Sequence, residues 1–152
     1  LSFNLSKYTK SWIATDFSKQ MIFEARKHGE YENLVFEIAD ATSLIYTDEK
    51  FDCVVIANAL HIMPKPDEAM KEIYRVLKPN GTLFAPTFLW KEGKQRKMIK
   101  SLMSILGFKM YQEWDKKEFE DFIKEYGFSV VEMKLAHGGL APIGVMIAQK
   151  VA

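Results

Sequence analysis

Hydrophobic and polar positions alternate along the chain in two registers. Short β-prone runs are followed by stretches with apolar residues at helical spacing, and the switch repeats. Such alternation points to βα units around a mainly parallel sheet. Ser11 to Thr15 is the first run, and it ends at Asp16. Ser18 then supplies a helix cap, with Met21, Ile22 and Ala25 on one face and Gly29 as the stop. Leu34 to Ala39 predicts the next strand, ending at Asp40. Asp52 to Ala57 is almost continuously apolar, as expected of a strand covered on both faces. Cys53 inside it reads as a small buried hydrophobe.

Pro64 and Pro66 break the chain next. Asp67 and Glu68 open a helix and Arg75 and Lys78 close it, which suits the helix dipole. Its inward stripe is Met70, Ile73, Tyr74 and Leu77. Pro79-Asn80-Gly81 predicts a sharp turn and Thr82 to Thr87 a strand. Lys94 to Leu106 has the period of an amphipathic helix with a basic face. Asp115 and Glu118 have capping-box spacing, ahead of Phe119, Phe122, Ile123 and Tyr126, and Gly127 ends that helix. Phe128 to Leu135 and Ile143 to Gln149 predict an antiparallel hairpin around a loop with Gly138, Gly139 and Pro142.

Length and composition narrow the function. With 152 residues, one domain is expected. Lys and Arg number 21 against 20 Asp and Glu, a net charge of +1, so no general field draws the chain to nucleic acid. A single cysteine excludes an internal disulfide and a cysteine-built zinc site, and fits a cytoplasmic setting. No metal is implied. The longest apolar stretch, Cys53 to Met63, is far shorter than the roughly 20 residues that span a bilayer.

The candidate chemistry lies at strand ends. Three predicted strands finish in polar or small residues, at Asp16, at Asp40-Ala41 and at Ala57-Asn58. In an open α/β sheet, ligands bind at the carboxyl ends of the strands. A carboxylate there offers two acceptor oxygens to the vicinal hydroxyls of a ribose.

Ile13-Ala14-Thr15-Asp16-Phe17-Ser18-Lys19-Gln20-Met21, Ala39-Asp40-Ala41, Phe51-Asp52-Cys53-Val54, Ala59-Leu60-His61 and Tyr74 through Leu83 stand within residues 12–90 in an order that resembles the S-adenosylmethionine (SAM)-dependent methyltransferases of the Rossmann-like class. The branch it resembles is the small-molecule one that includes enzymes of ubiquinone and menaquinone biosynthesis. The five pieces stand in the family's order and spacing. The resemblance implies an α/β, Rossmann-like doubly wound sheet, mostly parallel, with an antiparallel C-terminal hairpin. It implies SAM as the methyl donor and a small-molecule substrate. By position, Asp16 matches the acid that holds the ribose, and Phe17 and Met21 match residues flanking the cofactor. Asp40 and Ala41 match the pair that meets the adenine. Ala57 and Asn58 match the strand end facing the methyl group. His61 matches a position bordering the substrate, as a candidate catalytic base or as a structural histidine.

One family feature is absent. None of the eight glycines forms a Gly-x-Gly after a strand, the loop that contacts the amino acid part of SAM. Residues 1–10 match the helix after that loop. The expectation is that the first strand and loop precede Leu1 in a longer protein, the alternative being a protein without the loop. On the first reading residues 1–152 are an N-terminally incomplete domain. That chain alone is then expected to be unstable or to associate, to bind little or no SAM and to transfer no methyl group, because two strands lack their shared neighbour.

Residues 88–114 are expected to form a substrate-covering insertion. Between Lys91 and Lys109 six cations face Glu92 alone, a local charge of +5. That stretch reads as a solvated face, an anion site or a membrane-surface contact. Trp90, Tyr111 and Trp114 read as walls of an apolar substrate pocket or as packing. The rival functions are a non-catalytic scaffold of the same fold, a lipid methyltransferase at a membrane surface, and a nicotinamide dehydrogenase.

Overall fold

The structure, a computed structural model, describes residues 1–29, 31–91, 110–136 and 142–151. The chain divides into two compact units, Leu1–Ile45 and Tyr46–Ala152.

In the first unit, α1 (Ser2–Leu5) runs into a 3₁₀ turn (Ser6–Tyr8) and then β1 (Trp12–Asp16), α2 (Lys19–Arg26) and β2 (Leu34–Ile38). β1 and β2 pair in parallel from Trp12↔Leu34 to Asp16↔Ile38. Ser18 caps α2 by accepting the Met21 N–H at 3.3 Å, the role its type and position predict. Gly29, at φ 113°, takes the chain out of the helix where a side chain is disfavoured. Ile22, Leu34 and Phe36 are the buried centre, packed by Phe3, Trp12, Ala14 and Ala25. The Asn33 amide donates to the carbonyls of Ser6 and Thr9 at 2.7 and 2.8 Å, tying the N-terminal turn to the start of β2.

In the second unit, β3 (Phe51–Val55), α3 (Pro66–Val76), β4 (Leu77–Phe88), α4 (Lys116–Glu125), β5 (Phe128–Ala136) and β6 (Ile143–Lys150) follow in order, with a 3₁₀ turn at Leu60–Ile62. The sheet order is β3-β4-β6-β5. β3 and β4 are parallel, while β6 runs antiparallel to both β4 and β5. β5 and β6 are the expected hairpin. Among the described residues β1 pairs only with β2, and β3 only with β4. One core joins the sheet to both helices: Ile56, Leu60, Met70, Ile73, Leu77, Leu83, Phe119, Ile123 and Met146 lie in it.

Four expectations change. The helix α3 stops at Val76, so Leu77 and Lys78 belong to β4 and not to the helix's stripe and close. The Pro79-Asn80-Gly81 segment does not end an element, because β4 runs from Leu77 straight through it. Asn80 takes φ 60°, and the pairing with β3 slips between Phe51↔Leu77 and Cys53↔Thr82, so the turn chemistry is spent on a bulge. The Asp52 to Ala57 strand is not covered on both faces, since Asp52 and Cys53 are exposed. Cys53 is therefore a surface thiol of β3 and not a core residue. Burial of part of the side chain, and then the Asp52 charge, raise its pKa.

The Tyr74–Leu83 piece of the resemblance has a structural role here. Arg75 donates to the Tyr46 carbonyl and to Asp48, both at 2.7 Å, and pairs with Glu72. The Glu49 N–H in turn donates to the Arg75 carbonyl at 3.0 Å. Those bonds seat the segment that leads into β3. Asp52 likewise meets Lys78 at 2.7 Å, a structural pairing across β3 and β4.

The capping box forms as the sequence predicts. Asp115 accepts the Glu118 N–H at 2.8 Å, and Glu118 accepts the Asp115 N–H at 2.9 Å. Asp115→Ala is expected to destabilise the protein by about 1 kcal/mol, within roughly 0.5–2. Urea unfolding measures this; an unchanged midpoint removes the cap from the account.

Candidate functional site

The first group of site residues lies at the carboxyl edge of β1 and β2. The parallel register sets Asp16 beside Ile38, and the Ala39 N–H donates to the Asp16 carbonyl at 3.1 Å. Two successive strands therefore end together, and Asp16 and Asp40 share one edge. Asp16 Oδ1 accepts the Ser18 N–H at 2.8 Å, an Asx-type turn that fixes the carboxylate at the start of α2. Its second oxygen has no partner among the described residues. Asp40 Oδ1 accepts from both the N–H and the hydroxyl of Thr42, at 2.9 and 2.7 Å, which holds the loop after β2. Ala41 follows, half-buried. Phe17 is 76% exposed and Met21 58%, on the same turn and helix as Asp16. Ile38 is also largely exposed. A carboxylate edge flanked by open apolar side chains is unusual on a free surface and suits a ligand with a polar sugar and a flat base.

The second group follows β3. The Ile56 and Asn58 N–H groups donate to the carbonyls of Phe84 and Pro86 at 3.0 and 2.8 Å, which carries the β3–β4 pairing past the strand itself. Ala57 is half-buried between them. Asn58 has φ 52°, a left-handed turn that asparagine tolerates better than most residues. Asn58 thus shapes the backbone where the chain leaves the sheet. The turn delivers His61 to the interior, where it is 4% exposed. Its Nδ1 lies 3.1 Å from Thr87 Oγ1, and its ring stands edge-on to Phe88. Its carbonyl accepts the N–H groups of Tyr111 and Gln112 at 3.0 and 3.1 Å.

Burial lowers the His61 pKa from 6.5 to about 4. The imidazole is therefore neutral at pH 7 and a weak base. The same shift has a consequence for stability. Between pH 4 and 6.5 the unfolded chain binds the proton and the folded chain does not. This contribution is complete above pH 6.5 and is lost as pH falls towards 4. His61→Gln is expected to flatten the pH dependence of urea stability in that window, by at most about 1.4 kcal/mol per pH unit. Parallel curves for the two proteins contradict the assignment.

Thr87, the hydrogen-bond partner of His61, is a candidate residue that the sequence pattern alone did not single out. The signal is there: Leu83, Ala85 and Thr87 share the inward face of β4, and the third is polar. Trp90 is buried beside Phe88 and Met110, and Trp114 packs in the core against Phe119 and Phe122. Tyr111 is exposed. Lys91 pairs with Glu118. The rest of the basic stretch, the Lys94 to Leu106 helix, most of the expected insertion, and His137 to Gly139 lie outside the described residues. Among the described residues no helix is long and apolar enough to cross a membrane. No group of three or more His, Cys, Asp or Glu stands ready for a metal there.

Residues 1–85 match the methyltransferase domain family. The chain belongs to that family. The matched segment contains Asp16, Phe17, Met21, Asp40, Ala41, Ala57, Asn58 and His61, all the positions carried over from the resemblance. Among relatives, a demethylmenaquinone methyltransferase of Lactobacillus johnsonii is 45% identical over 73 residues, 45% of this chain and 30% of its own. A ubiquinone/menaquinone biosynthesis C-methyltransferase of Rickettsia prowazekii is 31% identical over 88% of this chain and 63% of its own. The chain thus spans less than two thirds of the length of either relative. A SAM-dependent methyltransferase from Methanosarcina mazei superposes with TM-score 0.78 at 21% identity, over 99% of this chain and 87% of its own. The [4+2]-cyclase SpnF superposes with TM-score 0.77 at 18% identity, over 98% and 69%. These structures establish the Rossmann-like methyltransferase fold. A cyclase among them is a reminder that the fold hosts more than one chemistry, so function has to be argued from the site.

Proposed function

We propose that this protein transfers a methyl group from SAM to an oxygen, nitrogen or carbon atom of a small molecule in the cytoplasm. The observation that carries the reading is the pair of acids at the carboxyl ends of adjacent parallel strands, Asp16 on β1 and Asp40 after β2. The open Asp16 oxygen fits a ribose hydroxyl, and the exposed Phe17, Met21 and Ile38 fit the flanks of an adenosine. The residues present therefore fit the nucleoside half of SAM. Asp40 and Ala41 would meet the base; Ala57 and Asn58, in the second unit, are carried over by the resemblance alone as the strand end facing the methyl group. SAM, when bound, supplies a methyl group on a sulfonium that departs as a neutral thioether. The protein's own part is to bind, orient and exclude water, and alignment of that kind supplies much of the acceleration of a displacement.

Membership of the family supports this reading, as do relatives named for demethylmenaquinone and for ubiquinone/menaquinone biosynthesis. Their names favour a small ring compound as the acceptor. The test uses SAM labelled in its methyl group and a protein-free metabolite extract. The expected result is label in a small molecule together with released S-adenosylhomocysteine. Label that stays in SAM, with protein shown to be folded, contradicts the proposal.

A further inference from the structure

Three rings meet beyond the carboxyl ends of β3 and β4. His61 lies 5.6 Å from Phe88 between centroids and 6.2 Å from Trp90, and Phe88 lies 5.5 Å from Trp90. Their polar atoms can be assigned in turn. Thr87 is 1% exposed, and its hydroxyl has His61 Nδ1 as its hydrogen-bond partner among the described residues. A hydroxyl hydrogen needs an acceptor, and Nδ1 is the one in reach. A ring proton on Nδ1 would leave that hydrogen buried and unbonded, which is unfavourable. Thr87 therefore donates, Nδ1 accepts, and the single proton of the neutral ring sits on Nε2. Nε2 has no partner among the described residues. Trp90 Nε1 is buried, also without a partner. Buried polar groups are nearly always satisfied, so Trp90 Nε1 calls for an acceptor.

We propose that Trp90 Nε1–H and His61 Nε2–H form a two-donor station for an acceptor oxygen on a flat, uncharged ring of the methyl-accepting substrate, with Thr87 as the positioning residue that sets the imidazole tautomer. Both groups only donate, so the partner atom is an acceptor. Neither donor carries a charge, and an unpaired anion would be costly in this burial. The aromatic lining of Phe88, Trp90 and His61 favours a ring. In this role His61 gives a hydrogen bond and takes no proton. The proposal depends on the methyltransferase reading for the word substrate; the station itself does not.

The test is ¹⁵N NMR of the full chain with two flat probes, acetophenone and ethylbenzene, which share the ring and differ in the oxygen. Acetophenone is expected to shift the Trp90 indole N–H downfield and to bind at least fivefold tighter than ethylbenzene. Trp90→Phe, which keeps a ring and removes the donor, is expected to weaken acetophenone about five- to tenfold. Ring nitrogen shifts are expected to show His61 as the Nε2–H tautomer in the wild type and in Thr87→Ser, with the preference lost in Thr87→Val. Equal affinity for the probes, no binding of either, or an Nδ1–H tautomer in the wild type overturns the proposal. An indole signal indifferent to both probes assigns its partner to buried water and also overturns it. Full-length wild type is titrated with SAM separately. Absent SAM binding with a preserved probe contrast defeats the methyltransferase reading and leaves the station standing.

Discussion

Replacing Phe119 by alanine is expected to cost about 3–5 kcal/mol of folding stability, the range for deleting a fully buried aromatic ring. Phe119 has no exposed surface and packs 5.2 Å from the Trp114 ring between centroids. The same core includes Ile56 and Leu60, which bracket the segment carrying Ala57 and Asn58 and leading to His61. The capping box places Phe119 one residue past Glu118, so cap and core fix the same turn of α4. Net stabilities of small proteins are about 5–15 kcal/mol, so the variant loses a large share. Urea unfolding of the second unit's signal measures the loss. A change below about 1 kcal/mol means that the cavity closes freely and that α4 is not anchored as described.

Asp16→Ala is expected to weaken SAM binding by about 1.5–3 kcal/mol, the range for hydrogen bonds to a charged group, or roughly ten- to 150-fold. The carboxylate is held by the Ser18 N–H through one oxygen, which leaves the other for the ligand. Asp16→Asn keeps an acceptor for Ser18 and removes the charge, so an intermediate loss is expected. Calorimetry or equilibrium dialysis with the full-length protein measures both. Equal affinity in wild type and Asp16→Ala removes the ribose assignment.

The parts of this structure that local chemistry decides were legible in the sequence. Ser18 at the head of α2, the Asp115–Glu118 box and the strand-end acids Asp16 and Asp40 each depend on neighbours two to four residues away. What depends on distant partners was not legible. Thr87 meets His61 across 26 positions, and only the fold brings them together. Cys53 sits in an apolar run yet faces outward, because composition does not say which faces of β3 are covered. Pro79-Asn80-Gly81 has every local mark of a turn, but pairing with β3 on one side and β6 on the other keeps β4 continuous around it. Arg75 lies in a segment shared with methyltransferases, and its bonds to the Tyr46 carbonyl and Asp48 hold the lead into β3.

The most direct test of the central claim is calorimetric titration of the full-length protein with SAM, repeated with NAD, the ligand that the related dehydrogenase fold takes. Saturable binding of SAM at one site, displacement by S-adenosylhomocysteine and no heat with NAD are expected. Binding of NAD, or no binding of SAM by protein that is folded and monodisperse, contradicts it.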